Sequence, residues 1–467
     1  MIRIKKRITL NRILKFPLFL GIILNLALIS TSPVQADNAL LTQNIIEYNQ
    51  KALEESLADG TYKGEAGILR VGPRVSISLG LKVLFDKDYL DAEKLLKKAE
   101  TSFEKVKSAM SATKKEPSPG YYVQEIASNY IVYKKSSEEA MKKFQEYHSA
   151  LDPKTDERLN RALCLNVMND LLLKSIKKTD NRLRDALGSF YNISQGVNGE
   201  KYPLTSENVR FVNFVFNGFI ENSSLESRAI FDLDQDNFYK GSRVSSNWKE
   251  AAGKDVFKLV PLLEEALKKA GGEIYDIDPL LFIALMRKES SFNPLAISYV
   301  GAAGLTQIMP KTALALGMDN IYSPEYFDKA VELLREERKI RARAMDALEQ
   351  INEGDVIGPA GEARRLMQAS ITLGKTRETL FNKYKKELLK EQSDDRLKAE
   401  KSIEFGLKYF AGLLKDQEGD MSLALASYNA GPHRIKEYSG IPPFDETVGF
   451  RNKVLKFYRD YVSRIND

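Results

Sequence analysis

A lone carboxylate stands at the end of an apolar run. Glu289 closes Pro279-Leu-Leu-Phe-Ile-Ala-Leu-Met-Arg-Lys-Glu289-Ser290, and a loop holding Ser298, Gly301, Gly304, Gln307 and Met309 follows directly. Asp278-Pro279 reads as a helix start, an acceptor at the N-cap with proline in the first turn. Residues 280–286 are apolar on nearly every side, so this helix should be buried, and Asn293-Pro294 should end it. Glu289 then lies near the last turn, where the helix dipole opposes a negative charge. Partial burial acts in the same direction and raises the pKa. A carboxylic acid still protonated near neutrality can donate to the leaving oxygen of a glycosidic bond. Taken alone, a glutamate at a helix end is ordinary solvated surface. The neighbouring blocks change that reading.

Gly301 and Gly304 permit close backbone near a ligand, although paired glycines also mark ordinary loops. Gln307 can donate to and accept from the N-acetyl and hydroxyl groups of an amino sugar. More than a hundred residues on, Ala426-Ser427-Tyr428-Asn429-Ala430-Gly431 supplies an aromatic ring and an amide. Tyr428 could stack on a sugar face, hydrogen-bond through its hydroxyl, or fill the core. Asn429 could fix the helix end or a ligand. Phe444-Asp445-Glu446-Thr447 adds another carboxylate, Glu446, which is as readily structural as ligand-binding.

The ordered blocks E-S-x-F, S-x-x-G-A-x-G-L-x-Q-x-M-P-x-T-A and A-S-Y-N-A-G together resemble the catalytic domain of the soluble-type lytic transglycosylases. That resemblance implies a lysozyme-like, mainly helical domain that cleaves peptidoglycan between N-acetylmuramic acid and N-acetylglucosamine. It implies Glu289 as general acid and then base, a 1,6-anhydro product, and Tyr428 lining the site near the acid. Ser298, Gly301, Gln307, Met309 and Asn429 match the motif as substrate-binding positions. No cofactor is called for, and no metal. No second carboxylate is matched to Glu289, as lysozyme-type hydrolysis would generally need. Two alternatives stand beside this reading: a true muramidase, and a non-catalytic glycan-binding protein of the envelope. Where the family usually places asparagine before Ile-x-x-Gly, this chain has Ser402-Ile403-Glu404-Phe405-Gly406. The stretch from Met318 to Gly406 is also longer than the family requires, and no functional residue is carried over there.

Composition narrows the rest. With 43% hydrophobic and 29% charged residues, the 467-residue chain is globular and long enough for two or three domains. Arg3, Lys5, Lys6, Arg7, Arg12 and Lys15 precede an apolar stretch from Phe16 to Ser30, and Val34-Gln-Ala36 offers a cleavage site. This predicts a signal peptide over 1–36 and an exported, periplasmic protein. An uncleaved N-terminal anchor is the alternative, although the run falls short of the ~20 residues a span needs. Those six basic residues account for the whole formal excess, leaving 64 Lys+Arg against 64 Asp+Glu. A global electrostatic case for nucleic acid is thereby lost. Cys164, the sole cysteine, excludes an internal disulfide and reads as a small buried hydrophobe. Two histidines, His148 and His433, are too few for a histidine-rich metal centre, and no phosphate-binding glycine loop occurs.

The expected architecture is all-α. Residues 37–260 carry apolar residues at three- and four-residue spacing, which suggests a helical solenoid or bundle without a clean fixed-period repeat. That segment could guide a glycan strand or bind an envelope protein partner, or act as scaffold alone. Residues 261–467 hold the catalytic pattern, with an inserted helical hairpin at about 335–398 that is either a solvated accessory or a lid over the glycan groove.

Overall fold

The computed structural model describes residues 33–114, 117–118, 120–197, 204–228, 231, 248–269, 277–391 and 393–466. The expected signal peptide falls outside this set, save residues 33–36, which open the first helix. No helix among the described residues is long and apolar enough to cross a membrane.

The all-α expectation holds: among the described residues there are helices and a few isolated β-bridges, and no strand. The first half comprises α1 (Pro33–Asp59), α2 (Pro73–Ser78), α3 (Lys87–Ser111), α4 (Tyr121–Ser149), α5 (Arg161–Lys178), α6 (Leu183–Ser194) and α7 (Val209–Asn222). Three short helices lead onward, α8 (Leu225–Arg228), α9 (Trp248–Ala252) and α10 (Val260–Lys269). The second half comprises α11 (Pro279–Ser290), α12 (Pro310–Leu316), α13 (Glu325–Glu349), α14 (Ile357–Glu391), α15 (Ala399–Asp416), α16 (Met421–Ala430), α17 (Pro432–Tyr438) and α18 (Asp445–Asn466).

Helix α11 is the spine of the second half, and local chemistry sets both of its ends. The Asp278 carboxylate accepts from the Leu280 N–H at 2.8 Å, and the Tyr458 hydroxyl donates to the same carboxylate at 2.6 Å. Leu280 to Met286 are all buried, in one cluster with Leu407, Phe410, Leu414, Leu425, Val454 and Tyr458. Each such large side chain contributes roughly 1.5–3 kcal/mol on leaving water. The helix stops earlier than Asn293-Pro294 suggests. Ser291 and Phe292 adopt left-handed φ values of 52° and 64°, which turn the chain out directly after Ser290.

The first half has its own core, formed by Leu41, Ile45, Met168, Leu172, Phe190, Phe211 and Phe219 among others, and Ala426, Ile441 and Val448 of the second half complete it. Cys164 is buried there, as expected, its thiol directed at the carbonyls of Glu157 and Arg158. Helices α13 and α14 form the long hairpin in the region of the expected insertion. Its far end packs on α3 and α4, through Ala344, Leu348, Ala360 and Leu366 against Val106, Met110, Ile126 and Tyr130. Its base is different in character: Phe327, Phe381, Tyr384 and Leu388 cluster with Ala303, under the loop that follows α11.

Candidate active site

The turn after α11 brings Glu289 to the edge of the core, and the loop 296–309 folds beside it. A ladder of isolated bridges, Ile297 with Ala303 and Ala303 with Ile308, gives that loop its shape. Gly301 and Gly304 hold φ values of +89° and +84°, open to glycine and strained for other residues. Both glycines face inward. A Cβ at Gly301 would meet the Phe327 ring at 2.3 Å, and one at Gly304 would meet the Arg396 carbonyl oxygen at 1.8 Å. The space they keep clear is thus filled by the protein's own hairpin base.

Arg396 is the loop's buttress. Its guanidinium is fully buried and pairs with Asp394 at 2.7 Å. It also donates to the carbonyls of Gly301 (3.1 Å) and Ile308 (3.3 Å) and to the Tyr384 hydroxyl (2.6 Å). Asp394 in turn accepts from the Tyr322 N–H at 2.8 Å. A second tie runs to α15, where the Thr306 hydroxyl donates to the Ser402 carbonyl at 3.0 Å. Ser402, the departure from the family's asparagine, therefore lies under the loop. These positioning residues escape a reading of the motifs alone, because Arg396 and Asp394 sit in a charged stretch that resembles any solvated helix end. The expected insertion boundary of about 398 also encloses them, although they pack under the loop 296–309.

Glu289 behaves as the sequence suggests. Burial pushes its carboxyl up to about 8, against an ordinary value of 4.5; neighbouring Lys288 opposes the shift and Glu446 adds to it. Among the described residues no protein hydrogen bond holds this carboxyl, so only the Lys288 charge offsets the desolvation. Tyr428 stands close by. Its hydroxyl donates to the Thr306 carbonyl at 2.6 Å, its ring lies parallel to Phe450 at 6.4 Å, and burial with the nearby Glu289 charge raises its pKa.

The remaining motif residues mostly hold the site's frame. Gln307 has a left-handed φ of 50°, and its side-chain amide donates to the carbonyls of Ala296 and Gly304, both at 2.9 Å. Only its side-chain oxygen is left for a ligand. Ser298 accepts from the N–H groups of Val300 (3.3 Å) and Ala302 (2.9 Å), closing the turn around Gly301. The Asn429 side chain accepts from the Thr447 hydroxyl at 2.7 Å, joining the end of α16 to the start of α18. Met309 is half-buried at the start of α12. No group of three or more potential metal ligands occurs among the described residues.

Residues 266–333 and 366–446 match the Transglycosylase SLT domain family, and the break between them falls within the hairpin. Among curated proteins, the chain is 50% identical over 50 residues to a transglycosylase of Enterobacteria phage PRD1, covering 11% of this chain and 19% of that protein. It is 46% identical over 56 residues to membrane-bound lytic murein transglycosylase C of Haemophilus influenzae, covering 12% and 14%. The chain thus spans less than a fifth of the length of these relatives. Among solved structures, the 70 kDa soluble lytic transglycosylase of Escherichia coli aligns with 94% of this chain and 74% of its own, at 14% identity and a TM-score of 0.26. Lytic transglycosylase Slt of Pseudomonas aeruginosa, as an inactive mutant, gives 92%, 73%, 12% identity and 0.27. Scores this low describe only a slight whole-chain likeness. The local match lies wholly in the second half, where residues 266–333 and 366–446 are similar to the Transglycosylase SLT domain family.

Proposed function

We propose that this protein is a peptidoglycan lytic transglycosylase in which Glu289 acts first as acid and then as base. The observation that carries this reading is the burial, without a hydrogen-bond partner among the described residues, of the Glu289 carboxyl, whose pKa of about 8 keeps it protonated at neutral pH. In the first step Glu289 donates its proton to the oxygen linking N-acetylmuramic acid to N-acetylglucosamine. The bond from the anomeric carbon to that oxygen breaks, and the electron pair leaves with the oxygen. The N-acetyl oxygen of the muramyl residue stabilises the positive charge left at the anomeric carbon. In the second step the Glu289 carboxylate takes the proton of the muramyl 6-hydroxyl, and that oxygen closes on the anomeric carbon. Glu289 is restored, no water is consumed, and the product ends in a 1,6-anhydro ring. Tyr428, bonded to the Thr306 carbonyl and close to Glu289, and the loop 296–309 would flank the bound sugar in this reading. The substrate requires a compartment outside the cytoplasm, which agrees with the export signal expected over residues 1–36.

One observation favours a second reading, a hydrolysing muramidase. Glu446 lies near enough to Glu289 to raise its pKa, and so supplies a second carboxylate that could activate water. Digestion of purified sacculi separates the two by mass spectrometry: anhydro-muramyl ends support the lytic reaction, whereas reducing muramyl ends support hydrolysis. Glu289→Gln should lower cleavage by at least ~10²-fold, the scale of general acid–base catalysis. Near-normal turnover by that variant would remove Glu289 from the mechanism.

A further inference from the structure

A set of specific contacts in the second half recurs in the first. Arg158 is fully buried beside Asp156 at 2.7 Å, as Arg396 is beside Asp394 at 2.7 Å. Arg158 donates to the carbonyls of Gly64 (2.8 Å) and Val71 (3.1 Å) and to the Tyr147 hydroxyl, just as Arg396 does to Gly301, Ile308 and Tyr384. A Cβ at Gly64 would meet the Tyr89 ring at 2.6 Å, as one at Gly301 would meet Phe327 at 2.3 Å. A Cβ at Gly67 would meet the Arg158 carbonyl oxygen at 1.8 Å, the separation found between Gly304 and Arg396. Tyr147 donates to Leu84 as Tyr384 does to Tyr322 (2.8 and 3.0 Å). Bridges join Ala66 to Val71 and Ala303 to Ile308. The helices correspond in chain order, with α1 to α6 matching α11 to α16 and α7 matching α18.

The halves also meet as two copies would across a two-fold axis. Glu207-Asn208-Val209-Arg210-Phe211-Val212-Asn213 aligns with Glu446-Thr447-Val448-Gly449-Phe450-Arg451-Asn452, which makes Ser206 the counterpart of Asp445. The Ser206 hydroxyl donates to the Asp445 carboxylate, which puts these two counterparts side by side as a two-fold axis would. Asn213 donates to the Ile441 carbonyl at 2.9 Å, in the segment leading to α18. Asn452 donates to the Leu204 carbonyl at 2.8 Å, in the segment leading to α7.

This register identifies what stands in the place of Glu289. Tyr48 packs on Phe211 at 5.2 Å, and Lys288 sits over the corresponding Phe450 at 5.2 Å. The next residue is Asn49 in the first half and Glu289 in the second. Asn49 is buried, and its side chain donates to the Ile68 carbonyl at 2.9 Å. An amide fixed in this way supplies no acid. The surrounding positions nevertheless keep polar, partly exposed groups. Arg70 replaces Gln307 with the same left-handed φ of 50°, a strain that glycine would relieve in either copy. Tyr191 matches Tyr428 and packs on Phe211, and Asn192 matches Asn429 and accepts from Asn208 at 3.1 Å. Glu207 matches the exposed Glu446.

We propose that residues of about 38–222 form a second lysozyme-like module whose cleft, at Arg70, Tyr191, Asn192 and Glu207, holds an N-acetylated amino-sugar strand without cutting it. This rests on the glycan-cleaving reading of the second half. Arg70 offers forked N–H donors to N-acetyl oxygens or to the muramyl lactyl carboxylate, and Tyr191 offers a ring face and a hydroxyl. The paired modules would keep one stretch of glycan held while another is cleaved.

The test is isothermal titration of the full chain carrying Glu289→Gln with a peptide-free tetrasaccharide of alternating N-acetylglucosamine and N-acetylmuramic acid. Two molecules should bind per chain, falling to one when Arg70→Met or Tyr191→Phe is added. Both changes keep the packing, and an unchanged unfolding midpoint verifies it; Arg70→Met keeps the length of the side chain and removes only its donors. A stoichiometry of one before those changes overturns the second site while leaving the catalytic reading intact. A stoichiometry of zero overturns both. Two sites indifferent to Arg70 and Tyr191 would overturn the assignment to this cleft.

Discussion

Glu289→Gln should stabilise the protein while silencing it, and the gain should grow with pH. In the folded chain the carboxyl keeps its proton up to about 8, whereas in the unfolded chain it ionises near 4.5. Between those values the folded state binds more protons, so wild-type stability falls as pH rises through the window. Below 4.5 both states are protonated and the effect vanishes; above about 8 it is complete. A shift of this size caps the cost near ~5 kcal/mol at about 1.4 kcal/mol per unit. Glu289 retains some contact with solvent, which softens the penalty, and we expect ~2–3 kcal/mol between pH 5 and pH 9. The glutamine is neutral throughout and carries no such dependence. Urea unfolding of both proteins at pH 5, 6, 7, 8 and 9 gives the difference directly. Parallel stability curves across that range would refute the claim that the folded state holds this group neutral. Cleavage should follow the same ionisation and decline as pH rises past about 8.

Other consequences concern the frame of the site. Gly304→Ala forces a Cβ to 1.8 Å from the Arg396 carbonyl oxygen at a left-handed φ; a loss of at least ~2 kcal/mol in chemical denaturation, with cleavage abolished, is expected. Arg396→Met strands the buried Asp394 carboxylate and should cost ~3–5 kcal/mol, read as a lowered denaturant midpoint. Tyr428→Phe removes the 2.6 Å hydrogen bond to Thr306 and should cost about 1 kcal/mol in stability while reducing the cleavage rate on sacculi.

Much of the second half was legible in the sequence because its signals are local. Asp278-Pro279 and the apolar run 280–286 specify a buried helix, and that burial is what perturbs Glu289. The same reading could not see why Gly301 and Gly304 are glycines. Their constraint comes from Phe327 and Arg396, which arrive from the two ends of a long hairpin and look like ordinary charged helix sequence. Ser291 and Phe292 end α11 by turning left-handed, a choice that neither residue type advertises. The correspondence between the halves was harder still. It survives in sparse positions, the spacing Gly64-x-x-Gly67 to Pro73 against Gly301-x-x-Gly304 to Pro310, and the pairs Asp156-x-Arg158 and Asp394-x-Arg396. Between those positions each copy has changed its packing residues freely, so helical periodicity alone suggests a generic bundle over residues 37–260.

The most direct measurement is a carbon-13 titration of the Glu289 side-chain carboxyl by NMR, assigned by its loss in Glu289→Gln. A midpoint near 8 is predicted, displaced far above that of exposed glutamates. A midpoint near 4.5, with the carboxylate ionised throughout the neutral range, would contradict the proposal that one buried acid donates and then reclaims the proton.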